Sequence, residues 1–310
     1  MSPAQRTLPV EHFDPDPYAV VWFAPRHDDF RAAVSLLDES FGAFPTRTLG
    51  NYTLHAGIMS GHRIMIATLP ANLGDMDSSV MELAAQVKML LPNLWFGLLV
   101  GVATGLPDMS QNPSPRDIRL GDVLVALPTN GSAGVVAYEH FEETNGGFRL
   151  SRGRFSLPVT ATVVRSAIGS ISLELSNDMF MQHYKKIQPR FPDPGQRLDT
   201  LLIDHDGSDY VLERIPRPDC TSTRVWYGVM ASGATPADSD LRKTLKENYH
   251  VIGLERYAAG IMNQIPAGVI SGVGDYDGRA GNKDWSLYAA AMAAAYAKAV
   301  LDQITPAKNK

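Results

Sequence analysis

Cysteine is almost absent from this 310-residue chain, with Cys220 the sole thiol. One cysteine excludes an internal disulfide framework and any multi-thiolate metal site, and it fits a reducing compartment. Long apolar runs are missing too. Tyr18 to Pro25 is strand-length and Leu94 to Ala103 is broken by two glycines, whereas a membrane helix needs roughly 20 apolar residues. Met1 to Pro17 holds four prolines together with Glu11, Asp14 and Asp16, and has neither the basic start nor the apolar centre of a secretory signal. A cytoplasmic location without a membrane partner is therefore expected. There is no excess of positive charge: 28 Lys+Arg against 33 Asp+Glu give a formal net charge of −5, and no basic stripe marks nucleic acid as a partner. The eight histidines form no H-x-x-x-H or H-E-x-x-H pattern, so no metal ligands are assigned. No Walker sequence, no G-x-G-x-x-G after a strand and no G-x-S-x-G elbow is found.

What is present is an ordinary globular composition, 45% hydrophobic and 20% charged, with strand and helix signals in alternation. Tyr18 to Phe23 predicts a buried strand, and a helix capped by Asp28 or Asp29 follows to about Glu39, with Phe30, Ala33, Val34 and Leu37 on one face. Asn51 to Ala67 predicts a hairpin turning at Ser60-Gly61. Further helices are expected at Ser78–Leu91, Asp238–Asn248, Ala258–Gln264 and Trp285–Gln303, the last with eight alanines and with Lys298 and Asp302 toward solvent. Strands are expected at Leu94–Val100, Val123–Leu127, Val225–Ala231, Val251–Leu254 and Ala267–Val273. Residues 158 to 218 carry only a weak helical pattern. This alternation predicts a layered α/β domain with a mixed sheet over residues 18–304, a loose arm at 1–17 and a frayed tail at 305–310.

In such sheets ligands sit outside the carboxyl ends of the strands. The candidate loops are therefore Ala24–Asp29, Gly101–Gly105, Ala231–Thr235, Glu255–Tyr257 and Gly274–Asp277. Glu255 and Asp275 each follow a strand, and could face one pocket as a carboxyl pair able to hold a proton near neutral pH. Asp275 could equally cap the turn before Tyr276-Asp277-Gly278, and Glu255 could point away. Gly101-Val102-Ala103-Thr104-Gly105 is a poor anion cradle, because Ala103 and Thr104 put side chains where bare backbone should approach. Asp204 to Asp209 lacks calcium-loop spacing and reads as a solvated turn.

The order of motifs resembles the nucleoside phosphorylase and methylthioadenosine nucleosidase superfamily, above all its branch in filamentous fungi. The similar segments are Tyr18–Pro25, Phe96–Ala103, Asp117-Ile118-Arg119-Leu120-Gly121-Asp122-Val123, Tyr227–Gly233, Ala258–Met262, Gly274-Asp275-Tyr276 and Asn282–Trp285. The resemblance covers about residues 18 to 303. It implies a three-layer α/β/α fold with a central mixed sheet and a nucleoside pocket at the strand ends. The family is often oligomeric, which leaves a homo-oligomer open.

Departures from the family's pattern bear on function. Where the family has a second glutamate gripping the ribose hydroxyls, this chain has Tyr257, in Glu255-Arg256-Tyr257. A carboxylate accepting two hydroxyl protons makes charge-assisted bonds of about 1.5–3 kcal/mol each, and a phenol cannot accept both. Ala103 and Thr104 replace glycines, and Ala234 replaces the acid or amide after Ala231-Ser232-Gly233. The glutamate that activates water in nucleosidases corresponds, with a slip of one, to Asp28. The acid toward the leaving base is retained as Asp275. The expectation is an enzyme repurposed for a non-nucleoside small molecule, plausibly in fungal secondary metabolism, working without cofactor by isomerisation, cyclisation or a pericyclic (Diels–Alder-type) closure. Asp275, Tyr257 and Arg256 are its candidate catalytic residues, and Asp28, Ala103, Thr104, Ser232, Ala234 and Glu255 line the substrate. The alternatives are an N-ribosyl hydrolase or phosphorylase with unusual sugar contacts, and an inactive metabolite-binding module.

Overall fold

Val20–Phe23 (β1) is buried on both faces, which is why it reads as a continuous apolar run rather than an alternating one. The computed structural model of the chain describes residues 14–44, 52–70, 76–110, 115–129, 133–138, 141–144, 147–150, 160–173, 177–205, 208–218, 223–234, 237–276 and 283–307. The first 13 residues of the expected arm, Cys220, Asp277, Asn282, the centre of the acidic turn at 206–207 and the tail from 308 lie outside them.

After β1 come α1 (His27–Ser35), β2 (Glu39–Phe44), β3 (Thr53–Met59), β4 (His62–Thr68), α2 (Met76–Leu90), β5 (Phe96–Gly105), β6 (Val123–Ala126) and β7 (Val135–Ala137). A separate hairpin, β8 (Phe141–Thr144) with β9 (Gly147–Leu150), precedes α3 (Thr162–Ser172) and α4 (Asp178–Ile187). A second hairpin follows, β10 (Leu201–His205) with β11 (Ser208–Leu212). The chain then runs through β12 (Val225–Ser232), α5 (Ser239–Asn248), β13 (Val251–Glu255), α6 (Ala258–Met262), β14 (Ala267–Asp275) and α7 (Lys283–Asp302).

Ten strands form one mixed sheet in the order β13-β12-β6-β14-β5-β1-β4-β3-β2, with β7 beside β12. β1, β4, β5 and β14 run parallel, while β6 meets β14 antiparallel. One side of the sheet packs Trp22, Leu98 and Val100 against α1, α3, α4 and α7. The other packs Val21, Phe23 and Leu99 against α2 and α6. This is the expected α/β/α layering around a mixed sheet. The hairpin turn at Ser60 and Gly61 is as expected, with φ of 52° and 77°, the left-handed pair that a two-residue turn matching strand twist requires.

The sheet also closes on itself. β13 pairs antiparallel with the end of β5, Leu254 opposite Thr104 and Gly253 opposite Gly105. Gly253 permits this, since a Cβ there would lie 2.3 Å from the Leu124 side chain and 2.9 Å from the Thr104 carbonyl oxygen. Gly101 to Gly105, expected as a strand exit, is thus strand throughout. Because β13 and β14 both flank β5, Glu255 and Asp275 do not end neighbouring strands, contrary to the expectation for that pair.

Two expectations fail around α1. The helix ends at Ser35 and Glu39 already belongs to β2. Lys298, expected in solvent, is buried at 4% exposure, donates to the Leu36 carbonyl at 2.7 Å and pairs with Asp38. A lysine from α7 thus satisfies a carbonyl at the end of α1 and fixes its stop. Asp302 is exposed, as expected, and meets His183 at 2.6 Å.

Within the segment weakest in the sequence, α3 and α4 pack Val164, Ile168, Phe180 and Tyr184 into the core, and the return around Asp199, Arg214 and Arg217 is tied down by charge. Asp122 is fully buried and accepts from the amides of Arg119 (2.9 Å) and Arg224 (2.8 Å) and from the Trp226 indole (2.7 Å). Arg217 adds a two-pronged bond at 2.6 and 3.0 Å. Arg119 and Arg214 pair with Asp117 at 2.7 and 3.4 Å. The D-I-R-L-G-D-V segment is therefore a structural ion-pair centre.

α7 packs tightly on β14 at Gly272, where a Cβ would lie 2.0 Å from the Ala289 carbonyl oxygen. Gly272→Ala is expected to lower stability by about 3 kcal/mol or more, or to prevent folding, because backbone cannot give way there. Gly169→Ala, in α3 with nothing within 4 Å of the added carbon, is expected to raise stability by up to about 1 kcal/mol. Denaturant unfolding of the two variants checks the contrast.

Candidate functional site

The turn from β1 into α1 delivers the first site residue. Asp29 sits in the first turn of α1, where its Oδ2 accepts the Arg26 amide at 3.2 Å, and it is buried at 3% exposure. Its carboxylate lies 3.0 Å from where a Gly101 Cβ would stand. Gly101 thus leaves room for an acid, not for an anion. Among the described residues, Oδ1 of Asp29 is buried without a hydrogen-bond partner. Burial pushes its pKa up to about 7, against the opposing pull of the Arg26 charge and amide.

This corrects the expectation for Asp28, whose side chain faces outward toward Arg31 (3.6 Å) and His27 (3.9 Å). The fully buried positions of α1 are Asp29, Ala32 and Ala33, and the expected Phe30, Val34 and Leu37 pack partly buried against the same core as Ala33. The signal was available: Asp28 pairs at i,i+3 with Arg31, whereas Asp29 leads into two alanines at i+3 and i+4.

Tyr257 is the second site residue. It stands at the N-cap of α6, is 9% exposed, and packs in the same core cluster as Leu99 and Ala103 of β5. Alternation along a strand puts Leu99, Gly101 and Ala103 on one face, so Tyr257 and Asp29 share that face. Burial first, then the Asp29 charge, push the phenol up to about 12, with Arg26 and Arg256 opposing. The phenol therefore stays neutral at physiological pH. Ala103 is itself a buried core residue.

Two expected substrate contacts are used otherwise. Glu255 turns back onto α6, where its carboxylate accepts from the Tyr257 amide at 2.8 Å and the Ala258 amide at 3.0 and 3.1 Å. A carboxylate is favoured at a helix start, and here it caps rather than lines a cavity. Ser232 is fully buried, and its Oγ accepts from the Ala259 amide at 3.0 Å. Arg256 is exposed, so the guanidinium beside the buried pair is that of Arg26. Ala234 is half-buried just beyond β12.

Asp275, at the end of β14, lies opposite Thr104 across a bulge, and the Thr104 hydroxyl donates to its Oδ1 at 2.7 Å. Thr104 is therefore a hydrogen-bond donor to Asp275. The next residue, Tyr276, is held from three directions. Its hydroxyl donates to Asp199 at 2.6 Å and accepts from the Leu120 amide at 3.0 Å and from Arg214 at 3.1 Å. Asp199 and Arg214 pair at 2.8 Å, and the Arg214 guanidinium lies over the Tyr276 ring. Arg26, Asp29 and Tyr276 fall within the candidate strand-end loops without a role assigned to them, whereas Asp199 and Arg214 carry no signal in the sequence alone. Gly101 and Thr104 are three residues apart on β5, about 10 Å by strand rise, so this strand carries the contacts of both acids. Among the described residues no cluster of three His, Cys, Asp or Glu side chains could hold a metal ion, and no helix is long and apolar enough to cross a membrane.

No family model matches the chain. It is 34% identical over 307 residues to a nucleotide-binding leucine-rich repeat (NLR)-like protein of Hyaloscypha variabilis, a match covering 94% of this chain and spanning 30% of the relative. Among solved structures it is similar to the 5′-methylthioadenosine/S-adenosylhomocysteine nucleosidase of Neisseria meningitidis, with TM-score 0.57, 13% identity, and 92% of this chain and 99% of that chain covered. It is also similar to the futalosine hydrolase of Helicobacter pylori, with TM-score 0.58, 14% identity, and 93% and 99% covered. The chain has the nucleoside phosphorylase and methylthioadenosine nucleosidase fold.

A buried acid that prefers its proton penalises folding as it ionises. With a folded pKa of about 7 above the ordinary carboxylate value, the native state binds the extra proton, so stability falls as pH rises through the window from about 4 to 7 and then levels. Asp29→Asn is expected to match the parent near pH 4 and to be more stable than it at pH 8. The gain is a few kcal/mol, since each tenfold change in proton affinity is worth about 1.4 kcal/mol. Urea unfolding of both proteins across that range checks the sign.

Proposed function

We propose that the chain is an enzyme that works by proton transfer and orientation on a small molecule other than a nucleoside. That the similar solved structures are enzymes by name supports catalysis in general. The observation that carries the substrate reading is the pairing of Tyr257 with Glu255. The loop that would hold two vicinal hydroxyls offers a neutral phenol, and its carboxylate is committed to the amides of α6. A diol loses its charged acceptor there, at a cost of roughly 1.5–3 kcal/mol per bond.

In this reading Asp275, oriented by Thr104 and by the anchoring of Tyr276, transfers a proton to or from the substrate. The walls hold the reacting ends in place, which alone can supply a large part of a rate. Isomerisation, cyclisation and pericyclic ring closure are the reactions that such a site serves without a nucleophile, and a role in fungal secondary metabolism would supply such substrates.

Asp29 favours a second reading, hydrolysis of an N-glycosidic bond. It gives the scaffold a buried carboxyl group that titrates near neutrality, the property that a base activating water needs.

One assay separates the two. The chain is incubated with methylthioadenosine, adenosine, inosine and uridine, with and without phosphate, and free base is measured. No release above background is expected, and release at an ordinary enzymatic rate establishes the hydrolase or phosphorylase reading instead. On whichever substrate turns over, Asp275→Asn is expected to lower kcat by about 100-fold or more. An unchanged rate removes Asp275 from the chemistry.

A further inference from the structure

Among the described residues, the hairpin of β10 and β11 is a two-stranded sheet of its own. A lone hairpin is marginally stable in water unless it packs against something. Its inner face is packed: Leu201 is 5% exposed, and at the base the buried side chains of Asp199 and Arg214 pair at 2.8 Å. The outer face is bare. Leu202 and Val211 stand directly opposite each other, 53% and 61% exposed. Asp199 and Arg214 keep the same register three steps further down, so Thr200 and Glu213, both exposed, fall on the outer side of the ribbon. Leu198 and Ile215 flank its base at 57% and 87% exposure. The outer face is thus two apolar pairs with one polar pair between them. From two copies these side chains offer on the order of 1,000 Å², the size at which specific interfaces begin.

What can cover this face follows from its symmetry. Turning the ribbon about its long axis exchanges β10 with β11. Leu202 then lies over the partner's Val211, Leu198 over the partner's Ile215, and Thr200 over the partner's Glu213. Apolar side chains meet apolar ones, and the Thr200 hydroxyl can donate to the facing carboxylate. One patch therefore serves both partners, as a two-fold contact requires. Head-to-tail stacking that matches the same apolar pairs sets Glu213 against the partner's Glu213, a like-charge contact that costs free energy.

We propose that the outer face of the β10–β11 ribbon is the contact surface for a second copy of this chain, the two ribbons stacked face to face about a two-fold axis with their tips pointing the same way. The spacing is the ~10 Å of packed sheets. The contact is continuous with the strap beside Asp275, since β10 follows Asp199 and β11 leads into Arg214, and both bond the Tyr276 hydroxyl. Association steadies that strap whichever reaction the site performs.

Sedimentation of the full chain from low micromolar to near-millimolar concentration tests the contact. A reversible equilibrium between monomer and dimer is expected. Leu202→Glu and Ile215→Glu are each expected to weaken it by about tenfold or more, because each buries a charge in an apolar contact. Both positions are more than half exposed in the single chain, so both variants are expected to keep the parent's thermal midpoint. Met89→Glu, at 85% exposure on α2, is expected to leave the dimer intact. In a Cys220→Ser background, an equimolar mixture of Leu202→Cys and Val211→Cys chains is expected to cross-link under mild oxidation faster than either variant alone. A chain monomeric throughout overturns the proposal and leaves the face to a different protein. A dimer broken by Met89→Glu but not by Leu202→Glu and Ile215→Glu, or cysteines that link 202 to 202 in preference to 211, overturns it as well.

Discussion

A single buried carboxylate, Asp122, holds together parts of the chain that lie far apart in sequence. Removing a carboxylate from water costs several kcal/mol unless its lone pairs are filled. Here two backbone amides, an indole and a guanidinium fill them. The partners come from three pieces of the chain: the turn before β6, the entry to β12, and the segment after β11. The acid thus fixes where β12 begins and where residues 214–217 return to the sheet. Arg214, from that same segment, reaches Asp199 and Tyr276, and Tyr276 follows Asp275. The position of Asp275 depends on charge buried behind it.

Much of the fold was legible because it rests on local pattern. β1, the hairpin of β3 and β4, and α7 follow from run length, turn chemistry and alanine content, and the observed elements match within a few residues. The end of α1 was not legible, since a lysine 262 positions away takes the Leu36 carbonyl. Residues 160–218 were obscure for the same reason. The apolar faces of α3 and α4 pack in the core, but the return at residues 214–217 is placed by ion pairs such as Arg214 with Asp117, 97 positions apart, and no local periodicity encodes such a pair.

The site was legible in its residue types more than in their roles. Asp275 and Thr104 both stand out in the sequence, and the bond between them needed the register of β14 on β5. Glu255 and Ser232 looked available as strand-end polar groups, but the start of α6 has amides to satisfy and takes both. Asp28 and Asp29 differ by about 100° around a helix, and only the burial of Ala32 and Ala33 decides between them. A neighbouring pair of like residues is told apart only by what stands three and four positions on, Arg31 after Asp28 but Ala32 and Ala33 after Asp29.

The order in which the central strands are made has a consequence for biosynthesis. β5, at the middle of the sheet, has β1 on one side and β14 on the other, and β14 is covered by α7. A ribosome releases β1 and β5 long before β14 and α7. Until then the nascent chain carries an open apolar edge along β5, of the kind that recruits other strands. The long-range pairing that finally seals it makes folding slow relative to a locally wired helical protein. Shielding of that edge during translation, by a chaperone or by slow vectorial collapse onto α2, is thus a requirement that the finished molecule no longer displays.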